Sequence, residues 1–173
     1  GKFLLDGSLY QGFKPVFWST VEKTALADAE VEYMNHTSNT IYVAFKIKES
    51  KQQFLKDTSA IIWTTTPWTI PANKALAFNS SIEYSVIEIS ELDYFKEKKI
   101  VVATNLIESI TKACEIESYK ILKTFKGTDF TGTICSHPFI KMDFDYDVPM
   151  LDAQFVNLDQ GTGIVHCAPS HGP

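Results

Sequence analysis

The sequence predicts an α+β domain that is mostly β, built on a strongly bent sheet or partly closed β-barrel with one or two helices. Many short apolar segments alternate with period two or form brief runs, turn residues separate them, and a single segment has helical spacing. The chain has 173 residues, of which 45% are hydrophobic, as expected for one domain with one core. We therefore expect residues 1–173 to form one domain, with residues 1–18 as a ribbon leading into it.

The first two strands are predicted on either side of residue 50. Apolar residues alternate along residues 39–48, which makes one buried strand face. Residues 60–63 form a second strand, and Pro67 and Pro71 end ladder pairing after it because proline has no N–H to donate. The threonine-rich segment that follows residue 63 is therefore expected where this strand passes into a loop.

Further strands and one helix follow. The strands are predicted over residues 82–89, 99–103, 119–125, 132–135, 148–151 and 163–167. The helix is predicted after residue 103, with Thr104 as its N-cap. Its apolar stripe is formed by Leu106, Ile107, Ile110 and Cys114.

Charge and cysteine content limit the classes of function. The net charge is −5 and all sixteen basic residues are lysines, whereas proteins that bind nucleic-acid duplexes rely on arginine. Lysine groups at residues 96–99 and 120–126 could contact a few phosphates, although solvated surface is the simpler explanation. Three cysteines without a CxxC spacing fit reduced thiols. With no long apolar run and no signal-peptide pattern, we expect a soluble protein without membrane contact. The reduced thiols indicate the cytoplasm, and we also expect a monomer.

Two motifs carry most of the functional information. The sequence Thr64-Thr65-Thr66-Pro67-Trp68-Thr69 places four hydroxyls within six residues, which suits a pocket for a small polar ligand and a water molecule. About a hundred residues later follows Gly161-Thr162-Gly163-Ile164-Val165-His166, whose glycines permit a tight turn.

Both motifs resemble those of the editing domain inserted into class I aminoacyl-tRNA synthetases. The extension Ile70-Pro71-Ala72-Asn73 resembles that of isoleucyl-tRNA synthetases in particular. Residues 12–19, 24–33 and 161–172 also resemble sequence blocks of isoleucyl enzymes. The resemblance implies the same bent-sheet architecture, within a larger synthetase. It also implies that the domain removes valine from mischarged isoleucine tRNA by hydrolysing the ester at the 3′ end.

The resemblance also implies roles for individual residues. Catalytic roles, in holding the ester, the terminal adenosine and the attacking water, fall on Thr64, Thr65 and Thr66. Substrate-binding roles fall on Trp68, Thr69, Asn73, Gly161, Thr162, Gly163 and His166. Among these, His166 is implied to limit side-chain size rather than to act as a general base. An aspartate that binds the substrate ammonium is expected just past Pro173.

The implied partners are the 3′ end of tRNA(Ile) and the rest of the synthetase chain. No cofactor or metal is implied for this domain, whereas the parent synthetase is implied to use ATP and Mg. The HIGH and KMSKS motifs of the synthetic site are absent from this sequence. We therefore expect this segment neither to bind ATP nor to charge tRNA.

Alternatives from other classes remain open. Cys167 beside His166, or Ser170 beside His171, suggests a hydrolase, although neighbours on a strand point to opposite faces. A zinc site is a second alternative, with the ligands Cys135, His137, Cys167 and His171. Their spacing matches no common zinc pattern. A third alternative is a non-catalytic RNA-binding module or an inactive editing-like module. A fourth is a valyl or leucyl editing domain, although Trp68 and the extension Ile70-Pro71-Ala72-Asn73 fit neither type well.

Overall fold

The computed structural model of this protein describes residues 1–13, 15–90 and 95–171. It divides into two compact units: Gly1–Thr37 together with Ser170 and His171, and Ser38–Pro169. The prediction of a single domain over residues 1–173 stays a prediction. The parts of the motif blocks that fall on Lys14 and Gly172, and the chain end at Pro173, lie outside the described residues.

The described residues of the smaller unit form one short helix and one hairpin. Helix α1 spans Lys2–Leu5 and buries none of its side chains. Strands β1 (Trp18–Ser19) and β2 (Thr24–Ala25) pair antiparallel. A 3₁₀ turn at Asp28–Glu30 follows them.

The larger unit is a nine-stranded mixed sheet in the described residues. Its strands are β3 (Ile41–Glu49), β4 (Ser59–Thr64), β5 (Ala75–Phe78), β6 (Glu83–Ile89), β7 (Lys99–Ala103), β8 (Tyr119–Lys126), β9 (Ile134–Ser136), β10 (Asp147–Asp152) and β11 (Val165–Cys167). They are ordered β11-β5-β10-β9-β3-β4-β7-β6-β8, and among these described strands only the β4/β7 and β5/β10 pairs are parallel. The predicted mostly-β α+β class is confirmed, with an open sheet whose edges are β11 and β8.

Both faces of the sheet are covered by apolar side chains. One face packs the large rings of Phe45, Tyr84 and Phe130, while the other packs Ile87 and its neighbours against helix α2 (Ile107–Ala113). Strand β4 contributes to both faces and is therefore almost entirely buried. A strand covered on both sides appears in the sequence as a continuous apolar run, which is how residues 60–63 appear.

Two details of the sequence prediction are corrected. The structure contains β5, which the sequence analysis did not predict, because its four residues Ala-Leu-Ala-Phe are all buried and show no alternation. Thr104 is not the N-cap of α2, since a 3₁₀ turn at Thr104–Leu106 precedes the helix. The Thr104 hydroxyl instead lies 2.9 Å from the Ser85 hydroxyl on β6.

Candidate functional site

The threonine-rich segment lies where β4 ends and the 3₁₀ turn Pro67–Ala72 begins, so the predicted strand-to-loop position is confirmed. The Thr64 hydroxyl accepts the backbone N–H of Thr66 at 3.0 Å and lies 3.2 Å from the Thr66 hydroxyl. The Thr66 carbonyl in turn accepts the backbone N–H of Thr69 at 3.0 Å. Pro67 fits this turn because its fixed φ favours the first position and no N–H is lost there.

His166 joins the two sequence motifs. It lies on β11, which pairs with β5 directly after the threonine-rich turn. Its Nε2 is 3.0 Å from the Thr69 hydroxyl, and its Nδ1 is 2.6 Å from the Asn73 side-chain nitrogen. Segments almost a hundred residues apart in the sequence therefore meet at one imidazole ring. Hereafter the set Thr64, Thr66, Thr69, Asn73 and His166 is called the threonine–histidine network.

The hydrogen bonds assign the tautomer of His166. The Asn73 amide nitrogen also donates to the Ala75 carbonyl at 3.0 Å, so the amide presents N–H groups to Nδ1 of His166. Nδ1 is then the acceptor, and Nε2 carries the hydrogen that it donates to Thr69. The Thr69 hydroxyl passes its own hydrogen to the Thr66 carbonyl at 2.8 Å. A general base needs a free lone pair, and this arrangement leaves none on the ring of neutral His166.

Burial divides the site into a floor and a rim. Thr64, Thr69 and Asn73 are buried, and the Asn73 side-chain oxygen has no hydrogen-bond partner among the described residues. Thr65 and Thr66 are exposed. Trp68 is 72% exposed, so it is not a core residue. The floor is polar and internally bonded, while the rim offers hydroxyls and an aromatic ring to a ligand.

The Gly161–Gly163 turn packs against the sheet rather than against the threonines. Gly161 and Gly163 both have positive φ, near +80° and +75°. The Tyr84 hydroxyl donates to the Gly163 carbonyl at 2.8 Å, and the Ala103 N–H donates to the Thr162 carbonyl at 2.8 Å. The Thr162 side chain is buried and its hydroxyl donates to the Ile164 carbonyl. Thr162 and Gly163 therefore shape the turn that leads into β11, and we assign them no direct ligand contact.

A cavity of about 260 Å³ lies beside the same turn. Its lining includes Trp63, Phe155, Gly161 and Val165. Because neighbours on a strand face opposite ways, Val165 and His166 lie on opposite sides of β11. This cavity is therefore separate from the imidazole face that meets Thr69.

The two glycines of the turn allow a matched stability test. A Cβ at Gly163 would overlap the Ala103 Cβ, whereas one at Gly161 would meet only ordinary contacts, the nearest 3.7 Å away on Trp63. We expect Gly161→Ala to cost about 1–2 kcal/mol through its positive φ, and Gly163→Ala to cost about 1–3 kcal/mol more through overlap. Urea denaturation of both variants measures the difference. Equal losses would show that the turn does not pack closely on β7.

The structure does not support a cysteine nucleophile. Burial raises the pKa of the Cys167 thiol, and the hydrogen bond from the Ala77 backbone opposes this shift. The thiol donates to the Val165 carbonyl at 3.8 Å. Since thiolate is the reactive form, a raised pKa lowers the nucleophilicity of this residue at neutral pH.

A metal site is likewise not supported by the geometry. Among the described residues, no three His, Cys, Asp or Glu side chains cluster as metal ligands would. Both ring nitrogens of His137 make hydrogen bonds to backbone groups.

No helix within the described ranges is long and apolar enough to cross a membrane.

Comparison with known sequences gives a consistent picture. The family model for tRNA synthetases class I (I, L, M and V) matches residues 1–160. The chain is 66% identical to the isoleucine-tRNA ligase of Pelagibacter ubique over all 173 residues, which is 19% of that protein. It is 48% identical to that of Gluconobacter oxydans and 40% identical to that of Bacillus cereus, over 99% of this chain and 18% of each relative. The chain thus spans about a fifth of the length of these relatives.

Two solved structures with a similar fold are editing domains of leucyl-tRNA synthetases. The cytosolic leucyl-tRNA synthetase editing domain of P. knowlesi aligns with a TM-score of 0.55 at 11% identity, covering 75% of this chain and 56% of that one. The P. falciparum counterpart aligns with a TM-score of 0.51 at 18% identity, covering 66% and 43%. At such identities the likeness concerns the fold alone.

Proposed function

This chain belongs to the class I tRNA synthetases of the isoleucine, leucine, methionine and valine group. On that basis we propose that it is the editing domain of an isoleucyl-tRNA synthetase. The resemblance carried by the sequence motifs is confirmed at the level of the family and of the editing-domain fold. The proposed reaction is hydrolysis of the ester between valine and the terminal adenosine of mischarged tRNA(Ile). The similarity to isoleucine-tRNA ligases over the whole chain supports this specificity.

The chemistry of amino-acid selection gives such a site its purpose. A pocket that accepts isoleucine discriminates against valine only through one methylene, worth about 1–3 kcal/mol, a figure for which isoleucyl-tRNA synthetases are the standard example. A second site must therefore destroy the wrong product. An aminoacyl ester is already activated, so this site needs a positioned water, a polarised carbonyl and a means to exclude the larger side chain.

The observation that carries the proposal is the clamp on His166 between Thr69 and Asn73. A ring held at both nitrogens is a rigid wall, and a rigid wall can reject a side chain that is one methylene too long. The tautomer assigned above leaves no lone pair for base catalysis, which favours a size filter over a general base. We propose that His166 sets the upper limit on the amino-acid side chain.

The exposed rim supplies the remaining roles in this proposal. Thr65 and Thr66 offer exposed hydroxyls at the end of β4, where they can hold the ester and the attacking water. The exposed ring of Trp68 gives an apolar surface on which the terminal adenosine can stack. Thr64, Thr69 and Asn73 hold the turn from below. Gly161, Thr162 and Gly163 contribute by shaping the approach to β11.

The proposal extends to partners and cofactors. The domain acts on the 3′ end of tRNA(Ile) as part of a larger synthetase and uses no cofactor of its own. ATP and Mg belong to the synthetic reaction elsewhere in that protein.

The test is deacylation of separately prepared valyl-tRNA(Ile) and isoleucyl-tRNA(Ile) by the full-length synthetase that contains this chain. We expect the valyl ester to be cleaved on the order of 100-fold faster than the isoleucyl ester. A matched reaction without enzyme measures spontaneous hydrolysis. Cleavage of both esters at the spontaneous rate would refute the proposed activity and favour a non-catalytic module.

A further inference from the structure

Behind the turn that carries Thr69 lies a second histidine, which the proposed mechanism does not use. His137 follows β9 and is 1% exposed. Its Nε2 lies 2.9 Å from the Ile70 carbonyl, and its Nδ1 accepts the backbone N–H of Phe139 at 3.1 Å. The N–H of Phe139 can only donate, so Nδ1 is the acceptor and Nε2 donates to Ile70.

The carbonyl that His137 contacts closes the turn onto Asn73. The Ile70 carbonyl also accepts the backbone N–H of Asn73 at 3.0 Å. One oxygen therefore receives hydrogen bonds from His137 and from the residue whose side chain holds Nδ1 of His166. Any shift of this carbonyl moves Asn73, and with it one of the two fixed sides of the imidazole wall.

Tyr146 contacts the same turn at the Pro71 and Asn73 carbonyls, after Ile70. Its hydroxyl donates to the Asn73 carbonyl at 2.7 Å and lies 3.4 Å from the Pro71 carbonyl. Its ring lies 5.2 Å from that of His137, and the Lys74 ammonium sits 4.3 Å from the ring centroid of Tyr146. His137 and Tyr146, hereafter called the brace, thus contact three backbone carbonyls of the turn, those of Ile70, Pro71 and Asn73.

The surroundings of the brace favour a neutral, rigid imidazole. The ring of Phe144 stacks on His137 with centroids 5.0 Å apart, while the rings of Phe45 and Phe139 meet it edge-on. Burial lowers the pKa of His137; the hydrogen bond to Ile70 opposes this shift, and the charge of Lys74 adds to it. A neutral ring keeps the Nδ1 lone pair that Phe139 needs. The tautomer that bonds to the turn is therefore the one that this pocket favours.

We infer that His137 and Tyr146 are positioning residues for amino-acid discrimination: by fixing the backbone of Ile70 to Asn73, they set the place of the His166 wall. This inference rests on the proposed editing function. In this inference the brace acts only through its hydrogen bonds to the turn. Loosening it should let the imidazole wall move, so that the larger isoleucine side chain is accepted, while the rim that holds the ester stays in place.

Three conservative variants of the full-length synthetase test the inference. His137→Gln keeps a side-chain N–H that can reach the Ile70 carbonyl, whereas the shorter His137→Asn keeps an acceptor near Phe139 but withdraws from the turn. Tyr146→Phe removes only the hydroxyl. Ile110→Val, in the core on the opposite face of the sheet, serves as a control that lowers stability without touching the turn.

The readout is the ratio of isoleucyl-tRNA to valyl-tRNA deacylation rates. We expect His137→Asn and Tyr146→Phe to raise this ratio about five- to tenfold, with valyl-tRNA hydrolysis within about threefold of wild type, since each loses about one hydrogen bond to the turn. His137→Gln should stay within about twofold of wild type, and so should Ile110→Val.

Two outcomes would overturn the inference. One is an unchanged ratio in both His137→Asn and Tyr146→Phe; the other is an equal fall on both substrates with the ratio preserved, as a merely structural role would give. Failure of the proposed function looks different, because the wild-type enzyme itself would then fail to cleave valyl-tRNA(Ile). Isoleucine charging, measured in parallel, should be unaffected in all variants.

Discussion

His166→Ala is expected to leave hydrolysis of valyl-tRNA(Ile) largely intact while the enzyme begins to destroy correctly charged isoleucyl-tRNA(Ile). The ring is held by Thr69 and Asn73 and has no free lone pair, so its removal opens space and takes away no proton acceptor. One added methylene of space is worth about 1–3 kcal/mol, which predicts a rise of about 10- to 100-fold in isoleucyl-tRNA hydrolysis. Deacylation of the two purified charged tRNAs measures both effects.

The opposite assignment makes a different prediction for the same variant. If His166 were the general base, both rates would fall together by about 10²- to 10⁴-fold. His36→Ala, which changes an exposed histidine outside the network, controls for effects of histidine loss in general. A parallel fall on both substrates in His166→Ala alone would rule out the size filter.

Replacing Thr65 and Thr66 together by alanine is expected to abolish removal of valine while isoleucine charging stays nearly intact. These are the exposed hydroxyls of the cluster, and in the proposal they hold the ester and its attacking water. Loss of one positioned donor in such a site costs on the order of 10²-fold or more in rate. The measurement is valyl-tRNA(Ile) deacylation by the full-length double variant, with aminoacylation as the parallel assay.

Serine replacements give the matched control for this variant. Thr65→Ser with Thr66→Ser keeps both hydroxyls and should retain most of the activity, since only the methyl groups are lost. Thr66 deserves a separate single variant, because its hydroxyl also lies 3.2 Å from that of Thr64. Unchanged deacylation by the alanine pair would assign the chemistry to another part of the domain.

The fold was predictable where a strand alternates or where, as in β4 and β7, its apolar run is rich in β-branched residues. Residues 41–49 alternate and were placed within two residues, and the β7 bounds match the prediction. Strand β5 was missed because it pairs on both sides and is fully buried, so its short apolar run carries no periodic signal. Thr104 was misplaced because a hydroxyl before a helix can bond across the sheet instead of capping.

The candidate site was predictable only in part. The motifs led us to expect that residues 64–69 and His166 would lie together, and the Thr69 contact agrees with this at 3.0 Å. Nothing in the sequence indicated that the Thr162 hydroxyl bonds to the Ile164 carbonyl within its own turn. The turn is held by the bond from Ala103 to the Thr162 carbonyl, which depends on the tertiary position of β7. The brace was also missed: in the sequence analysis His137 is only one ligand of the alternative zinc site, and no motif marks the hydrogen bond from Tyr146 to Asn73.

The most direct test of the account is a crystal structure of the full-length synthetase with a non-hydrolysable valyl-adenosine analogue. The account predicts the valyl methyl groups within about 4 Å of the His166 ring, and the linkage that mimics the ester beside Thr65 and Thr66. An analogue bound in the cavity beside Trp63 and Gly161, or more than about 15 Å from His166 where no small ligand could bridge both motifs, would contradict it.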